Sequence, residues 1–151
     1  MYINAISFYR VGKYLRANHI PILPRFFSCL IFVLFNSSIP LTAQIGQGTR
    51  CSHRGIAVVI HRNAKIGNDC VIGAQVVIGG GGKGKPGAPV IGNKVYIGVG
   101  AKVIGDVNIG DNVVIGANAV VNCDIPSGAT VGGIPAQQLS SSQERTETDE
   151  D

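Results

Sequence analysis

Residues Ile91–Val121 read IGNKVYIGVGAKVIGDVNIGDNVVIGANAVV, with an aliphatic residue at every sixth place: Ile91, Ile97, Val103, Ile109, Ile115 and Val121. The same period runs upstream through Ile60, Ile66, Ile72 and Ile78. Glycine follows most of these positions, as at Gly67, Gly73, Gly92, Gly98, Gly110 and Gly116. Small or β-branched residues stand two places before them, as at Cys70, Val76, Val95, Ala101, Val113 and Ala119. A period of six is neither helical nor the simple alternation of a long strand. It describes a short strand followed by a tight turn that needs permissive backbone. Three such strands close a triangular coil, and stacked coils pair each strand with its equivalent about 4.8 Å away. The fold class is therefore all-β, a parallel β-helix with its aliphatic residues in one continuous core.

Outward from this stretch the register breaks once, at Gly79–Val90 (GGGGKGKPGAPV), which leaves the coil as a loop. A glycine-rich loop with two lysines suits phosphates, although it lacks the Gly-Lys-Ser/Thr ending of a P-loop. The β-helical domain is expected over 45–137, with Ile134-Pro135 turning the chain off its end. The tail at 138–151 is polar and acidic and is expected to be disordered.

The segment at 1–44 reads as helical. Ile3, Ile6, Val11 and Leu15 with Arg10, Lys13 and Arg16 suit a short amphipathic helix over Ile3–Arg16, and Pro21 and Pro24 break the chain before a second at about Phe26–Phe35. These helices are expected to cover one open end of the stack, with a peripheral membrane contact through the basic face as the sharper reading. The run FFSCLIFVLF is too short to span a bilayer, and the long patterned region before it is unlike a secretory leader. Cys29, Cys51, Cys70 and Cys123 show no CxxC spacing and read as buried free thiols of a reducing, cytoplasmic compartment.

The 151 residues carry a net charge of +4, but five of the nine acids lie in the last eight residues. The remainder holds twelve basic residues against four acids and not one glutamate, a balance that suits an anionic partner. Nucleic acid is disfavoured, since no basic patch interleaved with aromatics is present. Proton abstraction near neutral pH then falls to histidine. His19 precedes the repeat, His61 takes the outward place after Ile60, and His53 lies in an irregular lead-in where the repeat is out of phase; each also admits a purely structural reading. Val99 and Ala117 are one coil apart, as are Gly100 and Asn118, so small residues stack on one edge as a groove for a narrow chain, where Lys83, Lys85 and Lys102 can meet phosphates. Three histidine ligands for a metal are not at hand, and no metal is expected. Outward Val71, Val77, Tyr96, Val114 and Val120 place apolar groups on flat faces, which predicts a homotrimer.

Ile39–Ala136 resembles the serine acetyltransferase family and its relatives that acetylate polysaccharide sugars. The resemblance is carried by Ile45-Gly46 followed by His53-Arg54-Gly55, by Gly79-Gly80 through Lys83, by Ile97–Lys102 and Ile115–Val120, and by Gly133-Ile134-Pro135-Ala136. It implies a left-handed β-helix and an acetyl-CoA-dependent O-acetyltransferase. His53 becomes the general base, and Gly79, Gly80, Lys83, Lys85, Val99, Gly100, Ala101, Lys102 and Ala117 the acetyl-CoA contacts. At the acceptor positions the family carries charged or ionisable groups, where this chain has Ser38, Ser52 and Ala88. That departure favours a neutral hydroxyl such as a sugar over L-serine, and it keeps a non-catalytic β-helical scaffold as the alternative.

Overall fold

The computed structural model describes residues 3–81 and 87–139. Two helices, α1 (Ala5–Ala17) and α2 (Leu23–Phe35), precede fourteen short strands. In chain order the strands are β1 (Gln44–Ile45), β2 (Arg50–Cys51), β3 (Val59–Ile60), β4 (Lys65–Ile66), β5 (Val71–Ile72), β6 (Val77–Gly79) and β7 (Val90–Ile91). Then follow β8 (Tyr96–Ile97), β9 (Lys102–Ile104), β10 (Asn108–Ile109), β11 (Val114–Ile115), β12 (Val120–Val121), β13 (Thr130–Gly132) and β14 (Gln137–Gln138). They form three faces, ordered β1-β4-β7-β10, β2-β5-β8-β11-β13-β14 and β3-β6-β9-β12, with every pair parallel except β13–β14. The parallel β-helix is as the six-residue period requires.

Registers repeat the sequence period. Ile66, Ile91 and Ile109 stack on the first face, Cys51, Ile72, Ile97, Ile115 and Val131 on the second, and Ile60, Ile78, Val103 and Val121 on the third. All are buried in one core with the small residues that precede them. The polar residue after glycine also has a task. Asn68 Oδ1 accepts from the Gln47 N–H, Asn93 Oδ1 from Asn68, Asp111 Oδ1 from Asn93, and Ser127 Oγ from Asp111, so one corner of the prism carries a side-chain ladder from coil to coil.

The coil begins earlier than the aliphatic repeat suggests. Residues from Gln44 to Ile60 already form a full first coil, with β1 on β4, β2 on β5 and β3 on β6. The pattern is obscured because β2 and β3 are separated by a 3₁₀ turn at His53–Gly55 and because Thr49 replaces an aliphatic residue. Thr49 is buried yet satisfied: its hydroxyl donates to Gly67 O at 2.7 Å and accepts from the Cys70 N–H at 3.0 Å. At the other end Gln138 and Leu139, assigned above to the tail, belong to the fold: β14 returns antiparallel on β13, and the Leu139 N–H donates to Thr130 O. The expected disorder of the remaining tail lies outside the described residues.

α1 closes the first coil, as expected of the N-terminal segment. A first coil has no preceding coil to donate hydrogen bonds to its carbonyls. Tyr9 Oη donates to Ala43 O at 2.6 Å, Arg10 Nη2 to Gly46 O at 2.9 Å and Thr49 O at 3.3 Å, and Asn4 Nδ2 to Cys51 O at 2.7 Å. Lys13 Nζ adds bonds to Ala43 O and Tyr9 Oη. The basic face of α1 is thus partly turned inward, contrary to its reading as a membrane-facing surface. α2 starts three residues before the expected Phe26, because Pro24 sits in the first turn, where a missing N–H costs nothing. The thiols divide: Cys51 and Cys70 are buried, but Cys29 and Cys123 are exposed, against the expectation that all four are buried.

Close stacking explains the glycines that follow most of the inward aliphatic residues. A Cβ on Gly98 would lie 2.6 Å from Ala117 N and 2.7 Å from Gly116 C, both backbone atoms of the next coil. On Gly132 it would meet only the Leu139 side chain, at 3.3 Å. Gly98→Ala is therefore expected to lower the unfolding free energy by about 1–3 kcal/mol, and Gly132→Ala by clearly less, as read from urea unfolding midpoints of the two variants.

Candidate active site

The sequence provides a three-residue insertion at one corner of the prism. Between β2 and β3 the chain needs nine residues from one inward position to the next, Cys51 to Ile60, where the later coils need six. The extra residues are His53, Arg54 and Gly55, and all three have positive φ, at 48°, 62° and 81°. A left-handed backbone costs a non-glycine residue about 1–2 kcal/mol, so this turn must be held by its surroundings. The Gly55 N–H donates to Ser52 O at 2.9 Å, and the buried Ser37 hydroxyl donates to Gly55 O. A Cβ on Gly55 would stand 2.9 Å from Ala5 Cβ and 3.1 Å from Cys51 Cβ. α1 therefore clamps the turn from outside and Cys51 from beneath, while the His53 side chain remains exposed.

His53 opens onto a cavity of about 510 Å³ between α1 and the first coil, lined by Asn4, Ser7, Arg10, Arg50, Cys51 and Arg54 among others. Its polar lining is cationic, and no carboxylate belongs to it among the described residues. The arginines were not picked out from the sequence, since Arg10, Arg50 and Arg54 converge only once α1 folds over β2. Arg10 is occupied with carbonyls, whereas Arg50 and Arg54 have exposed side chains. Cys51 lines the floor without chemistry: burial pushes its thiol up to about 12, so it keeps its proton at neutral pH.

The groove assigned by spacing lies at the same corner as His53. The Gln75 N–H donates to Ile56 O, the Gly100 N–H to Ala74 O and the Asn118 N–H to Val99 O, so the turns after β2, β5, β8 and β11 stand in one column. Successive turns are about 4.8 Å apart, which puts Val99 two steps and Ala117 three steps along the axis from the insertion. Among the described residues the backbone N–H groups of Val99 and Ala117 donate to no protein acceptor, which suits a chain carrying amide carbonyls. Lys102 sits beside this corner, its Nζ 2.8 Å from Gly100 O.

Other expected contacts separate. Ala101 does not face a ligand: its side chain is fully buried, its N–H donates to Gly98 O and its carbonyl accepts from Val77. Gly79 and Gly80 lie at the root of the loop, where the Gly81 N–H donates to Gly87 O and a Cβ on Gly80 would meet His61 Nε2 at 3.0 Å. Ala88 is buried at the other root, and Lys83 and Lys85 lie outside the described residues. The loop joins β6 to β7, so its described roots stand at a different corner from the one between β2 and β3 that carries His53. Ser38 bridges to Val59 on the third face, and the Ser52 hydroxyl points at Ile72 O at 3.4 Å. Neither bonds to His53, and among the described residues no hydrogen bond fixes the imidazole. No group of three His, Cys, Asp or Glu side chains there is arranged to hold a metal ion.

Comparison with known proteins places the whole chain rather than single residues. The bacterial transferase hexapeptide family (six repeats) matches residues 88–123. The serine acetyltransferase of Synechococcus elongatus is 42% identical over 137 residues, covering 89% of this chain and 55% of the relative. That of Helicobacter pylori strain 26695 is 39% identical over 138 residues, covering 91% of this chain and 80% of the relative. Among solved structures, Neisseria gonorrhoeae serine acetyltransferase in complex with serine superposes with a TM-score of 0.80 at 32% identity, covering 90% of this chain and 55% of that one. A serine acetyltransferase in complex with CoA gives 0.78 at 33% identity, with coverages of 89% and 55%. The chain thus spans little more than half of the Synechococcus relative and of both structures, but four fifths of the Helicobacter protein. At 39% identity over four fifths of the Helicobacter protein, and with the hexapeptide repeat matched, the chain belongs to the serine acetyltransferase family.

Proposed function

We propose that the protein is an O-acetyltransferase that moves the acetyl group of acetyl-CoA to a hydroxyl, with L-serine as the first acceptor and His53 as general base. The observation that carries this reading is the shared corner: an exposed histidine on a rigidly held insertion, in line with a column of small-residue turns. In the reaction the acceptor hydroxyl attacks the thioester carbonyl as His53 takes its proton, the C–S bond breaks, and the CoA sulfur leaves to be protonated. The groove along Val99, Gly100 and Ala117 supports the pantetheine arm, and Lys102 suits the phosphates at its end. His53→Ala should lower kcat by about 10²–10⁴-fold while leaving acetyl-CoA binding, followed by calorimetry, within about twofold. Retention of more than about a tenth of wild-type turnover would remove His53 from this role and leave His61 as the next residue to test.

Serine leads because the relatives named above are serine acetyltransferases and because Arg50 and Arg54 supply the cation that Ser38, Ser52 and Ala88 do not. A carboxylate pairs well with a guanidinium fork. A glycan hydroxyl is the second reading, favoured by the absence of a carboxylate for the serine ammonium among the described cavity residues. Arg54→Ala is expected to raise KM for L-serine about tenfold and leave KM for acetyl-CoA unchanged. Faster turnover of a saccharide than of serine, insensitive to this change, would transfer the assignment to the second reading.

A homotrimer completes this proposal. Val71, Tyr96 and Val114 are register neighbours on the outer side of the second face, with Tyr96 and Val114 exposed. Packing such faces around a three-fold axis covers them and lets the loop of one copy approach the His53 corner of the next. Light scattering at micromolar concentration should give three times the chain mass; a monomer would exclude any site shared between copies.

A further inference from the structure

α2 has two unlike sides. Pro24, Ile31 and Phe35 are buried against the fold, and Phe8 of α1 packs on Phe27 and Phe35 with ring centroids 6.0 and 5.7 Å apart. The opposite side is equally apolar but uncovered. Ile22, Phe26 and Val33 lie along one outward stripe, 73%, 57% and 70% exposed, and Phe32, at 62%, flanks it. Such a continuous apolar surface on a small protein marks an interaction site. No helix among the described residues is long and apolar enough to cross a membrane, and 13 residues reach only about 20 Å. A helix of this kind can lie in the plane of a bilayer surface instead.

Charge around the stripe selects the partner. Residues 1–44 contain Arg10, Lys13, Arg16 and Arg25 and no Asp or Glu. Arg10 and Lys13 are turned inward onto first-coil carbonyls, whereas Arg16 and Arg25, with His19, line an open cleft of about 590 Å³ beside the start of α2. A second copy docked on this face with the helices parallel would set these arginines against one another, and in either orientation residues 1–44 offer no acid to pair them. An anionic lipid surface matches both features at once.

We propose that α2 anchors the protein peripherally to an anionic bilayer, with Ile22, Phe26, Phe32 and Val33 entering the acyl boundary and lipid phosphates meeting Arg16, His19 and Arg25. The surface that docks is therefore the apolar side of α2, with Arg16 at the end of α1 beside it, while Arg10 and Lys13 stay on the first coil. Nothing in this assignment depends on which acceptor is acetylated. The full chain should sediment with phosphatidylcholine vesicles containing phosphatidylglycerol, more weakly as salt rises, and poorly with phosphatidylcholine alone. Phe26→Glu and Val33→Glu should each weaken this binding about tenfold or more, and Arg16→Gln and Arg25→Gln about fivefold each. All four positions are solvent-facing, so thermal melting should be unchanged. Equal sedimentation with and without the anionic lipid, or full binding by the Phe26→Glu/Val33→Glu double variant, overturns the proposal. So does a fall in its light-scattering mass, which would make the stripe a contact between copies of this chain.

Discussion

Apart from β14, which folds back on β13, the strands of this protein take their ladder hydrogen bonds from neighbouring coils and none from the strands next to them in sequence. That one constraint dictates the rest. Rungs must repeat in register, so an inward aliphatic residue must return every sixth place and the turns must stack almost in contact. Glycine then follows the aliphatic residue because backbone of the next coil occupies the place of its Cβ, as Gly98 against Ala117 demonstrates. The same constraint leaves the first coil with carbonyls that have no donor. α1 supplies Tyr9, Arg10, Lys13 and Asn4 in place of a preceding coil, and burying such groups without partners would cost about 1–3 kcal/mol each.

The cap also builds the candidate site. The helix that satisfies the first coil also presses Ala5 against Gly55 and roofs the cavity into which His53 opens. Scaffold closure and site formation are therefore one packing event, and the strained turn at His53–Gly55 persists because it is held from both sides. Positive φ at His53 and Arg54 is compatible with the fold for another reason: the regular corners already use left-handed residues at Asp69, Gln75, Lys94, Asn112 and Asn118.

The fold was largely legible in the sequence because its period is strict and its core residues are aliphatic. The first coil was not, since Thr49 and Cys51 stand at inward positions and the insertion shifts the phase; a threonine satisfied by two backbone groups carries no hydrophobic signal. The column of Val99, Gly100 and Ala117 could be read from spacing, whereas His53 stood out from the other histidines through the family resemblance. Ala101 was misplaced among ligand contacts because its neighbours in the chain line the corner while its own side chain points to the core. That Arg50 and Arg54 line the site is not legible in the sequence for a different reason: their meeting with α1 is a tertiary contact between segments some forty residues apart. The apolar side of α2 was visible as composition, but which of its sides faces outward depends on packing.

The insertion has an evolutionary reading. His53, Arg54 and Gly55 are additional to the register, and the coil resumes at Ile56 with its turn still bonded to Gln75. A short duplication or deletion of codons at a corner thus adds or removes a reactive side chain without disturbing a single rung. New chemistry on such a scaffold can arise by changes of length, where most folds must substitute residues already committed to packing. The corners of this chain that are closed by tight turns are open to the same route.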